Sequence, residues 1–333
     1  MSASQSHTQP PADHSVDLIG PDISAYAKGT GDIDYVHTYD SGVAGPHVAI
    51  SALVHGNEPC GAVAVDRLLK LGVRPARGKL SLLFVNIEAY EAFDPADPNA
   101  TRYLDEDLNR VWSPAILNGT RTSRELKRAR ELAPFIETID ALLDIHSMQY
   151  ATRALMLTGH YQRAKTLCGK MGMPDLVVAD RGHAQGPRLR DFGAFNAANS
   201  EKTALLIECG QHWDLASGDI AKASCVQFLR AMQSLDPSTI ETLAADMDVS
   251  LAPSKAQEFV TVTHPITIAS DEFRFLQPFE GLEVIEKAGT VIAMDGEQEV
   301  ATPHDNCILI MPSRRLWKGQ TAVRLGRFDA EVA

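Results

Sequence analysis

The sequence predicts an α/β protein: a mixed, largely parallel sheet flanked by helices, with a smaller all-β region after it. Two observations carry this. Between about residues 47 and 235, short apolar runs alternate with helix-period patterns, the signature of a largely parallel sheet with crossover helices. From about residue 255 the texture changes to short β-prone runs separated by turn residues. The chain of 333 residues, 44% hydrophobic, is long enough for a sizeable core. Its expected organisation is a flexible segment over 1–16, a catalytic α/β domain over 17–240, and a linker with a C-terminal β domain over 241–333.

In order, MSASQSHTQPPADHSV is polar and lacks the apolar run of a secretory signal, so it reads as a lead-in. HVAISALV (47–54), KLSLLFVN (79–86), IDALLDIH (139–146), RALMLTG (153–159) and TALLIECG (203–210) are strand-length and bounded by polar or glycine residues. After Gly61, the residues Ala62, Val65, Leu68 and Leu69 follow the spacing of a buried helix face, closed by Gly72. In RTSRELKRARELAPFIE, Thr122 and Glu125 have capping-box spacing, and Leu126, Leu132 and Ile136 supply apolar positions. Glu125 and Glu131, interleaved with five basic residues from Arg121 to Arg130, make a solvated helix face the expectation. SLDPSTIETLAADMDVSLAPSK is the connection, and EFVTVTHPITI, GLEVIEKAGTVIAMDG and CILIMPSRRL are the β-prone runs beyond it.

A formal charge of −12 argues against a nucleic-acid partner, because such proteins concentrate positive charge to displace counterions. No segment approaches the roughly eighteen apolar residues of a membrane span. The five cysteines, Cys60, Cys168, Cys209, Cys225 and Cys307, are widely spaced with no C-x-x-C pair, which fits reduced thiols in a cytoplasm.

The chemistry-bearing residues gather where apolar runs end. HVAISALV leads straight into His55 and Glu58, and ligands of open α/β sheets bind at the carboxyl ends of strands. Imidazole and carboxylate both ligate zinc, although H-x-x-E alone reads as a capped helix start and a surface pair. LLDIHSM brings His146 to another strand end, and His, Glu and His would leave one zinc position open for water, as catalytic sites do. Taken singly, His146 reads as a satisfied buried histidine. Glu208 ends a third run, where it is either a structural ion-pair partner or a general acid-base beside an activated water. In the long connection TRYLDEDLNRVW, Arg102 and Arg110 offer planar guanidiniums for carboxylates or an oxyanion, and Asn109 adds a neutral donor. Without context, Asp105, Glu106 and Asp107 beside those arginines read as a local salt-bridge network.

In this order, HGNE, TRYLDEDLNR, DIHS and IECG resemble the succinylglutamate desuccinylase and aspartoacylase family, a branch of the zinc carboxypeptidase superfamily. The similarity extends to ATPHDNCILIMPSRRLWKGQTAVRLGRF. The resemblance implies a zinc-carboxypeptidase-like sheet and one zinc per chain held by His55, Glu58 and His146, with Asp144 orienting a ligand histidine from behind. It implies Glu208 as catalytic base and acid, Arg102 polarising the scissile carbonyl, and Asn109 and Arg110 gripping the substrate α-carboxylate. The chemistry is coherent, since zinc lowers the pKa of bound water to about 7 and Arg102 complements charge that develops in the transition state. Cys60 and Cys209, next to the motifs, read as packing residues.

Aspartoacylase implies late tyrosines and an arginine shortly before the catalytic glutamate. Here the last tyrosine is Tyr161, and the nearest preceding arginines are Arg188 and Arg190. The expected substrate is therefore another small N-acyl amino acid, with N-acetyl-diaminobutyrate as one candidate. The competing readings are a metallocarboxypeptidase acting on small peptides and a catalytically inactive zinc-binding module. His304 and Asp305 read as a structural turn, and a homo-oligomer is compatible with the β region.

Overall fold

The computed structural model describes residues 15–182, 185–252 and 255–329. The lead-in read over residues 1–16 lies outside this range except for its last two positions. From Asp17 the chain is anchored: the Asp17 and Leu18 N–H groups both donate to the Trp213 carbonyl.

The first seven strands are β1 (Val36–Asp40), β2 (His47–Ala52), β3 (Lys79–Phe84), β4 (Ala141–Met148), β5 (Leu155–Thr158), β6 (Leu176–Ala179) and β7 (Thr203–Gln211). The C-terminal region adds β8 (Glu258–Thr267), β9 (Phe273–Phe275), β10 (Val284–Ile285), β11 (Val291–Asp295), β12 (Gln298–Ala301), β13 (Cys307–Ile310) and β14 (Thr321–Phe328). The helices are α1 (Cys60–Lys70), α2 (Ile87–Glu91), α3 (Pro114–Leu117), α4 (Arg124–Ile136), α5 (Gln162–Met171), α6 (Leu215–Ala231) and α7 (Pro237–Asp246). Each of the five apolar runs holds a strand. Edge strand β1, polar on its outer half, and the four-residue β6 are additional to them.

One mixed sheet of eleven strands has the order β1-β3-β2-β4-β7-β5-β6-β8-β14-β13-β10. Neighbours from β3 through β7 are parallel, as are β5 with β6 and β6 with β8. The C-terminal strands thus continue the same sheet, while β12, β11 and β9 form a separate antiparallel sheet over a core containing Phe273, Phe279 and Ile292. Helix α7 spans residue 240, where the sequence places the domain boundary, and packs Ile240, Leu243 and Ala244 into the main core.

Period-two alternation divides the sheet's faces. Val48, Ile50 and Ala52, Leu143 and Ile145, and Leu205, Ile207 and Cys209 pack with residues of α1 and α6. The opposite parity carries Ser51, Asp144, His146 and Glu208. Register aligns them: Ser51 pairs with Asp144, and His146 pairs with Glu208. The polar groups are therefore neighbours on one face because the strands are parallel and in step.

Helix α4 departs from the expected cap. Ser123 supplies it, its hydroxyl accepting from Leu126 N–H at 2.9 Å, and Glu125 is fully buried rather than on a solvated face. Arg128 likewise turns inward, donating to the carbonyls of Phe84 and Val85.

Candidate active site

Past β2 the backbone reverses sharply. Leu53 holds φ at +63°, a conformation costly for a branched side chain that is retained where surrounding structure demands it. Gly56 then lies so close to the 101–102 backbone that an added Cβ would come within 2.5 Å of the Thr101 carbonyl oxygen. Its N–H donates to Arg102 O at 3.0 Å. Only glycine lets the His55–Glu58 turn and the Arg102 loop come together in this way.

Glu58 bridges the two histidines. Its Oε1 lies 2.8 Å from His55 Nδ1, its Oε2 lies 2.9 Å from His146 Nδ1, and Ser147 N–H donates to Oε2 at 3.1 Å. All three side chains are buried, and one donor atom from each falls within 4.8 Å of the others. Among the described residues no other cluster of His, Cys, Asp and Glu converges in this way. Each ring has a carboxylate behind it: Asp107 Oδ1 is 3.0 Å from His55 Nε2, and Asp144 Oδ2 is 3.0 Å from His146 Nε2. Asp144 is in turn held by the Ser51 hydroxyl at 2.6 Å. Such backing leaves Nδ1 of each ring, turned toward Glu58, as the nitrogen that could hold a metal ion. Two imidazoles and a carboxylate with oriented rings fit a zinc ion with an open position.

Burial opposes ionisation of Glu58, but the charges and hydrogen bonds of His55 and His146 prevail and hold it well below the usual carboxylate range. Asp107 is also held low, burial being outweighed by Arg110, His55 and Arg102. For His146, burial is outweighed by Asp144 and Glu58, which raise its pKa well above the usual value. A cation at the centre would replace that proton.

Glu208 is the exception among these carboxylates. Its Oε2 is buried without a hydrogen-bond partner. Burial, with a further contribution from the Glu58 charge, pushes its pKa up to about 8 against the opposing pull of His146, Arg102 and Arg324. Orphaned buried oxygens are expensive, and such perturbed carboxyls mark proton-transfer sites.

Arg102 packs against the cluster, with Nη1 3.0 Å from Glu58 Oε1 and Nη2 2.9 Å from His55 Nε2. Asn109 accepts from Leu189 N–H through its amide oxygen at 2.8 Å, which leaves its NH2 for a ligand. Arg110 keeps a buried Nε without a partner, and burial lowers its pKa to about 10, still charged at neutral pH. These residues share a pocket of about 490 Å³ with His55, Glu58, His146 and Glu208, a size suited to a small molecule. Asp144 sits behind it rather than on its wall.

Sequence reasoning missed several groups in or behind this pocket. Asp107 backs a histidine 52 residues away instead of serving only local ion pairs. Arg188 and Arg324, the latter on β14, both contact Asp180 Oδ2 at 3.0 Å and line the pocket. Arg188 Nη2 and Thr321 Oγ1 are buried with no partner. Helical and strand periodicity carry no signal for these, because Asp107–His55 and Arg324–Asp180 join distant segments, and Arg188 and Asp180 both lie outside any helix or strand. His304 Nδ1 lies 3.0 Å from the Asp305 carbonyl oxygen, while its Nε2 meets Thr263 Oγ1 at 3.0 Å and Asp305 Oδ1 accepts from Ala288 N–H at 2.8 Å, both across longer stretches of chain.

The sheet with its strand-end carboxylates and histidines defines an α/β protein with a convergent His-Glu-His set, and comparison makes the family explicit. Residues 44–235 match the model of the succinylglutamate desuccinylase/aspartoacylase catalytic domain, and the chain belongs to that family. It is 24% identical over 295 residues to succinylglutamate desuccinylase of Burkholderia cenocepacia, covering 83% of this chain and 79% of that one. Over 124 residues it is 31% identical to the N-acyl-aromatic-L-amino acid amidohydrolase (carboxylate-forming) of Rattus norvegicus, covering 33% and 36% of the two chains. The crystal structure of succinylglutamate desuccinylase from Vibrio parahaemolyticus superposes with a TM-score of 0.63 at 18% identity, over 89% of this chain and 86% of that one. The mixed α/β fold is thus that of the family, whose named members hydrolyse N-acyl amino acids.

Proposed function

We propose that the protein is a zinc-dependent amidohydrolase that removes an acyl group from a small N-acyl amino acid. The observation that carries this is the orphaned Glu208 oxygen on the same sheet face as, and in register with, a histidine of the convergent His55, Glu58 and His146 set. Zinc, when bound there by those three side chains, supplies Lewis acidity and an acidified water.

The chain's own residues account for the rest. Arg110 and Asn109 hold the α-carboxylate through a guanidinium and an amide NH2. Arg102 stabilises the oxyanion that develops as water adds to the acyl carbonyl. Glu208, poised near neutral pH, takes a proton from the attacking water and delivers one to the departing nitrogen. Asp107 and Asp144 keep the two imidazoles in the orientation that ligation needs.

The pocket also favours a particular side chain. Arg188 and Arg324 share Asp180, and half-buried Arg315 sits at the wall near Arg102. The wall carries five arginines and six acidic side chains, but Glu58 is engaged by both histidines and Asp107 by His55, so the guanidiniums of Arg188, Arg315 and Arg324 favour a substrate with a second anionic group over the ammonium of N-acetyl-diaminobutyrate. A cytoplasmic location accords with five free, buried cysteines. No helix among the described residues is long and apolar enough to cross a membrane.

The test is release of primary amine by zinc-loaded and chelator-treated protein across N-acetyl, N-formyl and N-succinyl amino acids with anionic, neutral and cationic side chains, together with short peptides. Zinc-dependent release from the anionic class is expected. Release confined to peptides would reassign the chain as a carboxypeptidase, and binding of zinc with no hydrolysis at all would make it a binding module.

A further inference from the structure

We propose that Glu125 is a positioning residue of the active site, holding the loop that carries Arg102 and Asp107. The inference rests on the amidohydrolase reading for its kinetic readout, though not for its structural one. Residues 103–107 have no regular secondary structure, so their backbone N–H groups need partners from elsewhere. Glu125 supplies them. Its Oε1 accepts from Leu104 N–H at 2.7 Å, and its Oε2 accepts from Asp105 and Glu106 N–H at 3.1 and 3.2 Å. Asn86 Nδ2 approaches Oε1 at 3.5 Å.

Three consecutive amides converging on one fully buried carboxylate is an anion cradle filled by the chain itself. The tie is mutual, because Asp105 Oδ2 accepts from Arg124 N–H at 2.8 Å and so satisfies an open donor at the start of α4. Helix α4 is a rigid anchor: Leu126, Ala129, Leu132 and Ile136 are all buried in the core beneath it. The other end of the loop is fastened by Gly56 N–H to Arg102 O at 3.0 Å. Arg102 and Asp107 flank the three clamped amides, and Glu125 itself is absent from the pocket wall. Its influence on chemistry therefore runs through the loop.

The consequence differs between neighbours. Arg102 and Asp107 depend on the clamp, whereas Asn109 has its own anchor in Leu189 N–H. Loosening the clamp should act on turnover and on zinc affinity more than on KM. In Glu125→Gln an NH2 group replaces one oxygen and meets backbone N–H donors, with side-chain length unchanged.

The experiment compares wild type, Glu125→Gln, Glu125→Asp and Ser123→Ala as full-length zinc-loaded proteins. Ser123→Ala weakens the same helix without touching the loop amides. Expected for Glu125→Gln is loss of hydrogen-exchange protection at residues 104–106, a zinc affinity weaker by about tenfold, and kcat lower by roughly ten- to a hundredfold with KM little moved. Glu125→Asp, which keeps the charge but shortens the reach, is expected to fall between and serves if the glutamine variant does not fold. Ser123→Ala should lose thermal stability and keep kcat. The proposal is overturned if residues 104–106 stay protected in the Glu125 variants, if kcat and zinc affinity stay within twofold of wild type, or if Ser123→Ala loses as much kcat. Should wild type hydrolyse no N-acyl amino acid, the amidohydrolase reading fails alone, and exchange protection and zinc affinity still decide the role of Glu125.

Discussion

Asp107 Oδ1 lies 3.0 Å from His55 Nε2, on the edge of the ring opposite the nitrogen that meets Glu58. Removing the acceptor frees the ring to rotate and to change tautomer. Asp107→Ala is expected to weaken zinc binding by about ten- to a hundredfold, measured by competition with a chromophoric chelator. Unchanged affinity would return Asp107 to a purely local ion-pair role with Arg102 and Arg110.

Arg102 faces the ligand cluster and is proposed to stabilise charge present only in the transition state. Arg102→Ala should lower kcat by about a hundred- to a thousandfold with a smaller change in KM, read by steady-state kinetics on the best substrate of the panel. A variant whose turnover stays near wild type removes the oxyanion role.

Arg110 is expected to divide the two parameters the other way. Its guanidinium, buried with an unpartnered Nε, is proposed to hold the substrate in the ground and transition states alike. Arg110→Ala should therefore raise KM by more than it lowers kcat. A fall in kcat alone would place Arg110 among the groups acting on the reacting carbonyl.

Glu208 makes a pH prediction with a definite sign. Its folded pKa of about 8 lies above the ordinary carboxyl value of 4.5, so the native state holds the proton more tightly than the unfolded chain. The stability this contributes is complete below pH 4.5 and is lost as pH rises toward 8. In chelated protein, Glu208→Gln should thus gain on wild type by about 1.4 kcal/mol per pH unit across that window, followed by denaturant titration at several pH values. Parallel stability curves for the two proteins would show that Glu208 is not protonated near neutral pH.

Helix α4 offers a test independent of catalysis. Ser123, whose hydroxyl caps Leu126 N–H, should cost about 1 kcal/mol on replacement by alanine. Thr122→Ala should be close to neutral, and equal losses would restore the capping box that the spacing of Thr122 and Glu125 suggests.

The difference between those two caps shows where local pattern stops being informative. Thr122 and Ser123 are adjacent, both are good caps, and the glutamate at capping-box spacing is present. Glu125 is instead drawn to the amides of residues 104–106, about twenty residues back in the chain. The spacing rule describes a helix alone, and a loop with unsatisfied N–H groups outcompetes it. Arg128 repeats the lesson, since its guanidinium satisfies carbonyls at the end of β3 although the charge run reads as a solvated face.

His55, Glu58, His146 and Glu208 were legible for the opposite reason. Each follows or ends an apolar run, and a parallel sheet must bring the carboxyl ends of its strands to one side. Alternation along β4 and β7 then puts His146 and Glu208 on the face away from α1 and α6. The sequence by itself thus determined the α/β class, the strand ends and the histidines and carboxylates that converge there, because period and strand direction are local properties. Only the tertiary structure decided which carboxylate backs His55, that Arg324 meets Asp180 across 144 residues, and that Glu125 clamps the Arg102 loop. Those pairings depend on which buried donors and acceptors are left unsatisfied once the chain has packed.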